Sequence, residues 1–312
     1  MSASTIALTG ATGFIGRHLL RELPKHGYRI RVLLRRPAEV PPEASSAVVG
    51  DIAAPQNMAA ALRGVDAVIH SAGLAHAMSG HPEDDYRAIN TEATVGLARA
   101  AERAGIKRFV FMSSIRAQSG PTAEGVLTEE QEPHPTDAYG RSKLGAEQGL
   151  ADLGIDWVAL RPVLVYGPGV KGNMAALLDL VRSPLPLPFG SLKAQRSVLG
   201  LDNLVAAVDT ALKMPGPVRR PFIVADPDSL TVGDMVAALR EGLGRGPGLL
   251  PVPASLLGAV ARAAGKGEAF ERVSGALVAS PKALMDAGWQ PPLTTREGLM
   301  RLAQAASEEQ RA

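Results

Sequence analysis

One stretch near the start limits what this chain can fold into. Thr5-Ile6-Ala7-Leu8-Thr9 is a short, mostly apolar run that reads as a buried strand. It runs into Gly10-Ala11-Thr12-Gly13-Phe14-Ile15-Gly16, after which Phe14, Ile15, Leu19, Leu20 and Leu23 recur as on one face of a helix. Strand, glycine-rich turn and helix thus follow one another, with the glycines spaced G-x-x-G-x-x-G. Gly10 permits a tight turn, Gly13 lets backbone approach a pyrophosphate, and Gly16 lets the helix pack on the strand. The helix N-terminus then faces the phosphates. Gly10, Thr12, Gly13, Phe14, Ile15 and Gly16 are the first candidates for a dinucleotide site.

The expected continuation is a parallel sheet. Ile30 to Leu34 reads as the second strand, Ala47 to Gly50 as the third and Val65 to His70 as the fourth. Lys107 to Met112 reads as the fifth and Trp157 to Leu160 as the sixth, with a long helix from Asp84 to Ala104. Strands alternating with helices indicate a doubly wound, mainly parallel α/β sheet of about seven strands, helices on both faces. Ligands in such sheets bind beyond the carboxyl ends of the strands. Gly10, Arg35, Asp51, Ser71, Ser114 and Pro162 all follow strand ends. Arg35, Arg36, Asp51, Ile52, Ser71, Ala72, Gly73, Asn90, Pro162 and Val163 therefore join the candidate cofactor contacts.

Two of these positions carry a choice. An acid after the second strand binds the adenosine ribose of NAD, but here Leu34, Arg35 and Arg36 stand in its place. A guanidinium suits a 2′-phosphate, so NADP is expected ahead of NAD; the alternative is two arginines on a solvent-facing turn. Asp51 reads either as an acceptor for the adenine amino group or as a turn-capping residue. His70 is read as structural.

Composition excludes several classes. The chain has 312 residues, enough for one large domain or two modest ones, and its net charge of +2 argues against nucleic acid as a partner. It has no cysteine, which removes disulfide and thiolate chemistry and fits a cytoplasmic enzyme; no metal site is expected. No apolar run is long enough to span a membrane, and the start lacks the basic end and apolar core of a signal peptide.

The stretch Asp137-Ala138-Tyr139-Gly140-Arg141-Ser142-Lys143 supplies candidate chemistry. Asp137, or Thr136, suits the first position of a helix. Tyr139 and Lys143 then lie one turn apart on one face. A phenol beside an ammonium is a proton-transfer device, with Tyr139 expected to ionise below its free value of about 10. The alternative is an exposed helix on which the two happen to be close.

Four motifs together resemble the extended short-chain dehydrogenase/reductases of the NAD-dependent epimerase/dehydratase group. They are the TGATGFIG opening, the VFMSS strand end, the YGRSK helix and RPVLVYGPG after the sixth strand. The resemblance implies a Rossmann domain over 1–165 and a smaller substrate lid over 166–312, with segments near 196–226 returning to the main sheet. It implies catalysis by Ser114, Tyr139 and Lys143, with Ser113 ranked below its neighbour. Lys143 would also hold the nicotinamide ribose. Arg35 resembles the phosphate-binding arginine of dihydroflavonol-reductase-like members, which use NADP. A cytoplasmic homodimer through the helices at 84–104 and 138–153 is implied as well.

In the second half, GPGVKGN, PLPLPFG and Arg196-Ser197 resemble bacterial UDP-sugar epimerases and 4-keto-sugar reductases. The resemblance gives Arg196 a substrate diphosphate and Asn173 a substrate contact, beside Ser114; the plain readings are a surface charge and a helix cap. The substrate class is then a UDP- or dTDP-sugar. Sugar dehydratases carry Asp-Glu after the catalytic serine or threonine, where this chain has Ile115-Arg116. Familiar 4-epimerases have an acid and an asparagine where this chain has Leu34 and Leu164. Arg35 tilts the expectation toward a ketoreductase, with epimerase close behind. Steroid- or flavonoid-type reductases and a non-catalytic NADP-sensing subunit are the other readings.

Overall fold

The computed structural model describes residues 3–74, 81–265 and 267–308. Seven strands form the main sheet: β1 Thr5–Thr9, β2 Arg29–Leu34, β3 Ser45–Val48, β4 Ala67–His70, β5 Arg108–Met112, β6 Trp157–Pro162 and β7 Arg220–Val224. Their spatial order is β3-β2-β1-β4-β5-β6-β7, and every neighbouring pair is parallel. The expected doubly wound sheet is therefore present.

The strands read as nearly unbroken apolar runs because both faces are covered. Side chains alternate with period two. Ile6, Leu8, Val110, Met112, Val158 and Leu160 enter one apolar layer with helices α1 (Phe14–Glu22) and α5 (Leu201–Lys213). Ala7, Phe109, Phe111, Trp157 and Ala159 enter the other, with α2 (residues 83–103) and α3 (Ala138–Ala151). Trp157 and Trp289 are both buried, one in each layer, and neither indole N–H has a partner among the described residues. A third apolar cluster joins Tyr166 and Val198 to α4 (Asn173–Arg182), α6 (Val232–Gly242) and α7 (Thr295–Glu308).

Several boundaries differ from the sequence reading. The sixth strand runs on through Arg161 and Pro162, because Arg161 finds a buried partner. Gln195 to Gly200 reads from the sequence as one short strand, but it is two pieces. Gln195–Arg196 pairs antiparallel with Leu230–Thr231, whereas Val198–Gly200 pairs parallel with Leu164–Tyr166. The last fifteen or so residues read from the sequence as a helix; α7 is described to Glu308, and residues 309–312 of that reading lie outside the described residues. In α2 the six residues Arg87–Glu92 form a π-helical turn. α2 and α3 pack on each other within the chain: a Cβ at Gly149 would lie 2.5 Å from Val95 Cγ2, and Ala93 and Ala146 are buried.

Candidate active site

The strand order reverses between β1 and β4, which opens a crevice beyond their carboxyl ends. Gly10 has φ +73°, and a Cβ there would lie 2.6 Å from Ser71 C and Ala72 N, so the turn after β1 rests on the loop after β4. A Cβ at Gly16 would collide with the Gly10 carbonyl. Gly13 is the residue at the N-terminus of α1, with no side chain capping it and no acid in the first turn. The helix amides and their partial positive charge are left for an anion. These features fit a dinucleotide pyrophosphate. Thr12 is exposed, with its carbonyl held by Arg17 at 2.8 Å; Phe14 and Ile15 are half-buried.

Arg35 and Arg36 are exposed at the end of β2 and make no hydrogen bond or ion pair among the described residues. That leaves both guanidinium groups available to a phosphate. Asp51 Oδ1 accepts the Ala53 N–H at 3.0 Å, the turn-capping arrangement, and Ile52 packs on the second apolar layer. Pro162 ends β6 opposite Val224, and the Val163 side chain is buried in the first layer.

A polar chain stiffens the crevice floor. The Ala72 N–H donates to Thr9 Oγ1, which lies 2.7 Å from His70 Nδ1; His70 Nε2 lies 2.9 Å from Thr94 Oγ1, which donates to the Asn90 carbonyl. The donors and acceptors run consistently with a neutral imidazole carrying its proton on Nε2. Burial, with the Lys143 charge second, pushes His70 down to about 3. The unfolded chain protonates this ring below about 6.5, so between those values it binds more protons than the folded chain. The stability from His70 is intact above about 6.5 and is lost as pH falls toward 3. Urea midpoints are expected to fall from about pH 7 to about pH 4.5, less steeply in His70→Gln. An equal slope in both proteins would assign the acid sensitivity elsewhere.

Asn90 is fully buried in the π-turn. Its Oδ1 accepts the Leu74 N–H at 2.8 Å, and its Nδ2 donates to Leu74 O and Ser142 Oγ. It ties the loop after β4 to α3. A Cβ at Gly73 would lie 2.7 Å from that Oδ1, which is why a glycine stands there. Asn90 therefore shapes the crevice from behind, its amide committed to the chain itself.

Asp137 starts α3, its Oδ1 accepting the Gly140 N–H at 2.7 Å. This places Tyr139 and Lys143 on one face, as expected. Ser114, at the end of β5, accepts the Arg116 N–H at 3.1 Å and hydrogen-bonds the Tyr139 hydroxyl. The Ser113 hydroxyl donates instead to Glu147 at 2.5 Å. Lys143 is buried; its Nζ donates to Met112 O at 2.9 Å and lies 4.7 Å above the Phe111 ring and 5.9 Å from the Tyr139 ring centroid. Burial lowers Lys143 to about 8, against which Glu147 acts.

The expected depression of Tyr139 is corrected by its surroundings. Burial raises the phenol above its ordinary value and outweighs the Ser114 hydrogen bond and the Arg116 charge, which favour the phenolate.

Behind this group lies a buried ion pair that the sequence reading missed. Arg161 on β6 and Glu147 on α3 are 3% and 4% exposed, with Arg161 Nη2 2.5 Å from Glu147 Oε2 and Nε 3.0 Å from Oε1. Arg161 also donates to Gln118 Oε1, and Gln118 Nε2 donates to Gln131 O at 2.8 Å. The available signals were an arginine inside the apolar run WVALRP and a glutamate one turn after Lys143. A buried charge needs a buried partner.

The remaining candidates stand on other elements. Arg196 donates to Gly275 O at 2.5 Å and Pro121 O at 3.2 Å, and burial lowers its pKa. Asn173 is exposed and is the first residue of α4, whose N-terminal cap is Gly172. A cavity of about 230 Å³ opens elsewhere, between α1, the start of α5 and α7, and includes none of the Tyr139 group.

Comparison with known proteins identifies the family. The model of the NAD dependent epimerase/dehydratase family matches residues 6–225. The chain belongs to this family. It is therefore read as an enzyme, and the family as a whole is NAD-dependent. A UDP-glucose 4-epimerase of Vibrio cholerae is 36% identical, covering 96% of this chain and 95% of that protein. A ceramide reductase of Caulobacter vibrioides is 28% identical over 80% of this chain and 73% of that protein. Among solved structures, MoeE5 in complex with UDP-glucuronic acid and NAD superposes with a TM-score of 0.74, at 25% identity, covering 98% of this chain and 100% of that one. No helix among the described residues is long and apolar enough to cross a membrane.

Proposed function

We propose that this family member is a nucleotide-sugar 4-epimerase acting through Tyr139, Lys143 and Ser114. The observation that carries the reading is the hydrogen bond joining Ser114 to Tyr139 at the crevice, with the Lys143 ammonium behind them. The full-length similarity to a UDP-glucose 4-epimerase supports the substrate class. Tyr139 takes the proton of the sugar hydroxyl as it is oxidised and returns it on reduction. Ser114 donates a hydrogen bond to the reacting oxygen. Lys143 holds the nicotinamide ribose from its place over Phe111. A bound nicotinamide dinucleotide supplies hydride removal and return. Arg196 would meet the diphosphate and Asn173 the sugar nucleotide. In this reading residues 1–165 hold the cofactor and 166–312 close over the substrate, in a cytoplasmic homodimer paired through α2 and α3.

A second reading, a 4-keto-sugar reductase using NADPH, is favoured by the free guanidinium groups of Arg35 and Arg36. One experiment separates the two. The protein is incubated with a panel of UDP- and dTDP-sugars, with and without added NADPH, while absorbance and sugar composition are followed. Epimer formed without net consumption of reductant supports the epimerase; stoichiometric loss of NADPH supports the reductase. No turnover with any sugar would sink both.

Cofactor choice is tested separately. NADP is expected to bind more tightly than NAD, with Arg35→Asp reversing the order, because a guanidinium pairs with the 2′-phosphate and a carboxylate repels it. Equal affinities before and after the change would remove Arg35 from the site.

A further inference from the structure

The turn after β5 contains a charge that the proposed reaction does not use. Arg116 is 13% exposed. One guanidinium nitrogen, Nη2, donates to Asp137 Oδ2 at 2.5 Å and lies 3.5 Å from Thr136 Oγ1. The other two, Nε and Nη1, are buried and have no acceptor among the described residues. Buried donors are nearly always paired, so two unpaired ones on one side chain need a reason.

The contacts of Arg116 fall on the residues that hold Tyr139: Ser114, Asp137 and the first turn of α3. Its main-chain N–H occupies Ser114 Oγ, whose hydrogen bond then runs to Tyr139. Its guanidinium grips Asp137, the residue that starts the helix carrying Tyr139. Its carbonyl lies where a Cβ of Gly140 would be, so the first turn of α3 rests directly on the Arg116 backbone.

We infer that Arg116 is the positioning cation of the proton-transfer group: it fixes Ser114 and the first turn of α3 around Tyr139 and keeps a permanent positive charge beside the phenol. This rests on the reading of Tyr139 as the proton-transfer residue. The groups facing Tyr139 are Ser114 from β5, Arg116 from the turn, Asp137 from the cap, Tyr86 from α2 and Lys143 from its own helix. Asp137 and Tyr86 oppose ionisation, and Arg116 acts against them. One of the three Lys143 N–H donors is held by Met112 O, and the ammonium lies over the Phe111 face.

The test is a tyrosinate titration by ultraviolet difference absorbance on the whole protein, with Tyr139→Phe subtracted. The chain has four tyrosines, and Tyr28 and Tyr166 are pushed upward by burial beside Asp209 and Asp226, so the difference isolates one phenol. Arg116→Met is expected to raise the Tyr139 midpoint by at least about one pH unit, because it removes a cation whose charge favours the phenolate. Asp137→Asn keeps a helix cap and is expected to lower the midpoint. Arg116→Lys should bring it back toward the wild-type value. Unchanged midpoints with only a fall in melting temperature would make Arg116 a structural strut and overturn the inference. Should Arg116→Met not fold, Arg116→Gln is read in its place: a raised midpoint supports the inference and an unchanged one refutes it. The readout needs no turnover. If Tyr139→Phe proved active, the functional reading would fail while the effect of Arg116 on the phenol could still be measured.

Discussion

Replacing Tyr139 by phenylalanine is expected to lower turnover by at least ~10²-fold while leaving the fold and cofactor affinity nearly intact, since only one hydroxyl is removed. The hydroxyl that is removed is the one hydrogen-bonded to Ser114. Lys143→Ala should lower both turnover and cofactor affinity if, as proposed, its ammonium serves the phenol and the nicotinamide ribose. Ser114→Ala should cost about 2–4 kcal/mol of transition-state stabilisation, the worth of one donor at a reacting oxygen. The rate of alcohol oxidation should rise with pH. Burial holds the phenol above its ordinary value, so that rise should continue beyond about pH 10 instead of levelling below it. Turnover and cofactor binding, measured separately on each variant, check these outcomes. Near-normal turnover in Tyr139→Phe would give the acid/base role to another residue.

The largest effect on stability is expected from Glu147→Ala. The change leaves Arg161 buried without a counter-charge and Ser113 without its acceptor. Breaking a buried pair from one side costs about 3–5 kcal/mol, because the remaining charge stays desolvated. Replacing both partners by apolar residues of similar size, Glu147→Leu with Arg161→Met, should recover most of that loss. Urea unfolding of the two single variants and the double variant closes the cycle. Strictly additive losses would mean that the pair acts as two independent side chains.

The sequence made the cofactor side of the crevice legible because local rules govern it. A turn at positive φ demands Gly10, close packing demands Gly16, and a helix start demands Asp137. Tyr139 and Lys143 were legible for the same reason, as a one-turn spacing within one helix. What escaped depends on distant partners. Arg161 meets Glu147 across fourteen residues and two elements, and Arg116 meets Asp137 across twenty-one. The direction of the Tyr139 shift escaped because the charges near a residue can be guessed from sequence, whereas the depth of its burial cannot. Arg196 and Asn173 rested on resemblance, and the structure places them on separate elements without joining either to the Tyr139 group.

The two tryptophans have a spectroscopic consequence. Both indoles sit in the apolar layers against the main sheet, so the chain should emit at short wavelength when folded and shift to the red when the sheet opens. The third cluster, built on α4, α6 and α7, contains Tyr166 and Phe189 but no indole. Loosening of that cluster alone would leave the emission unchanged. Intrinsic fluorescence is thus a gauge of the nucleotide-binding sheet, and opening of the C-terminal helices has to be followed by amide hydrogen exchange or a placed probe.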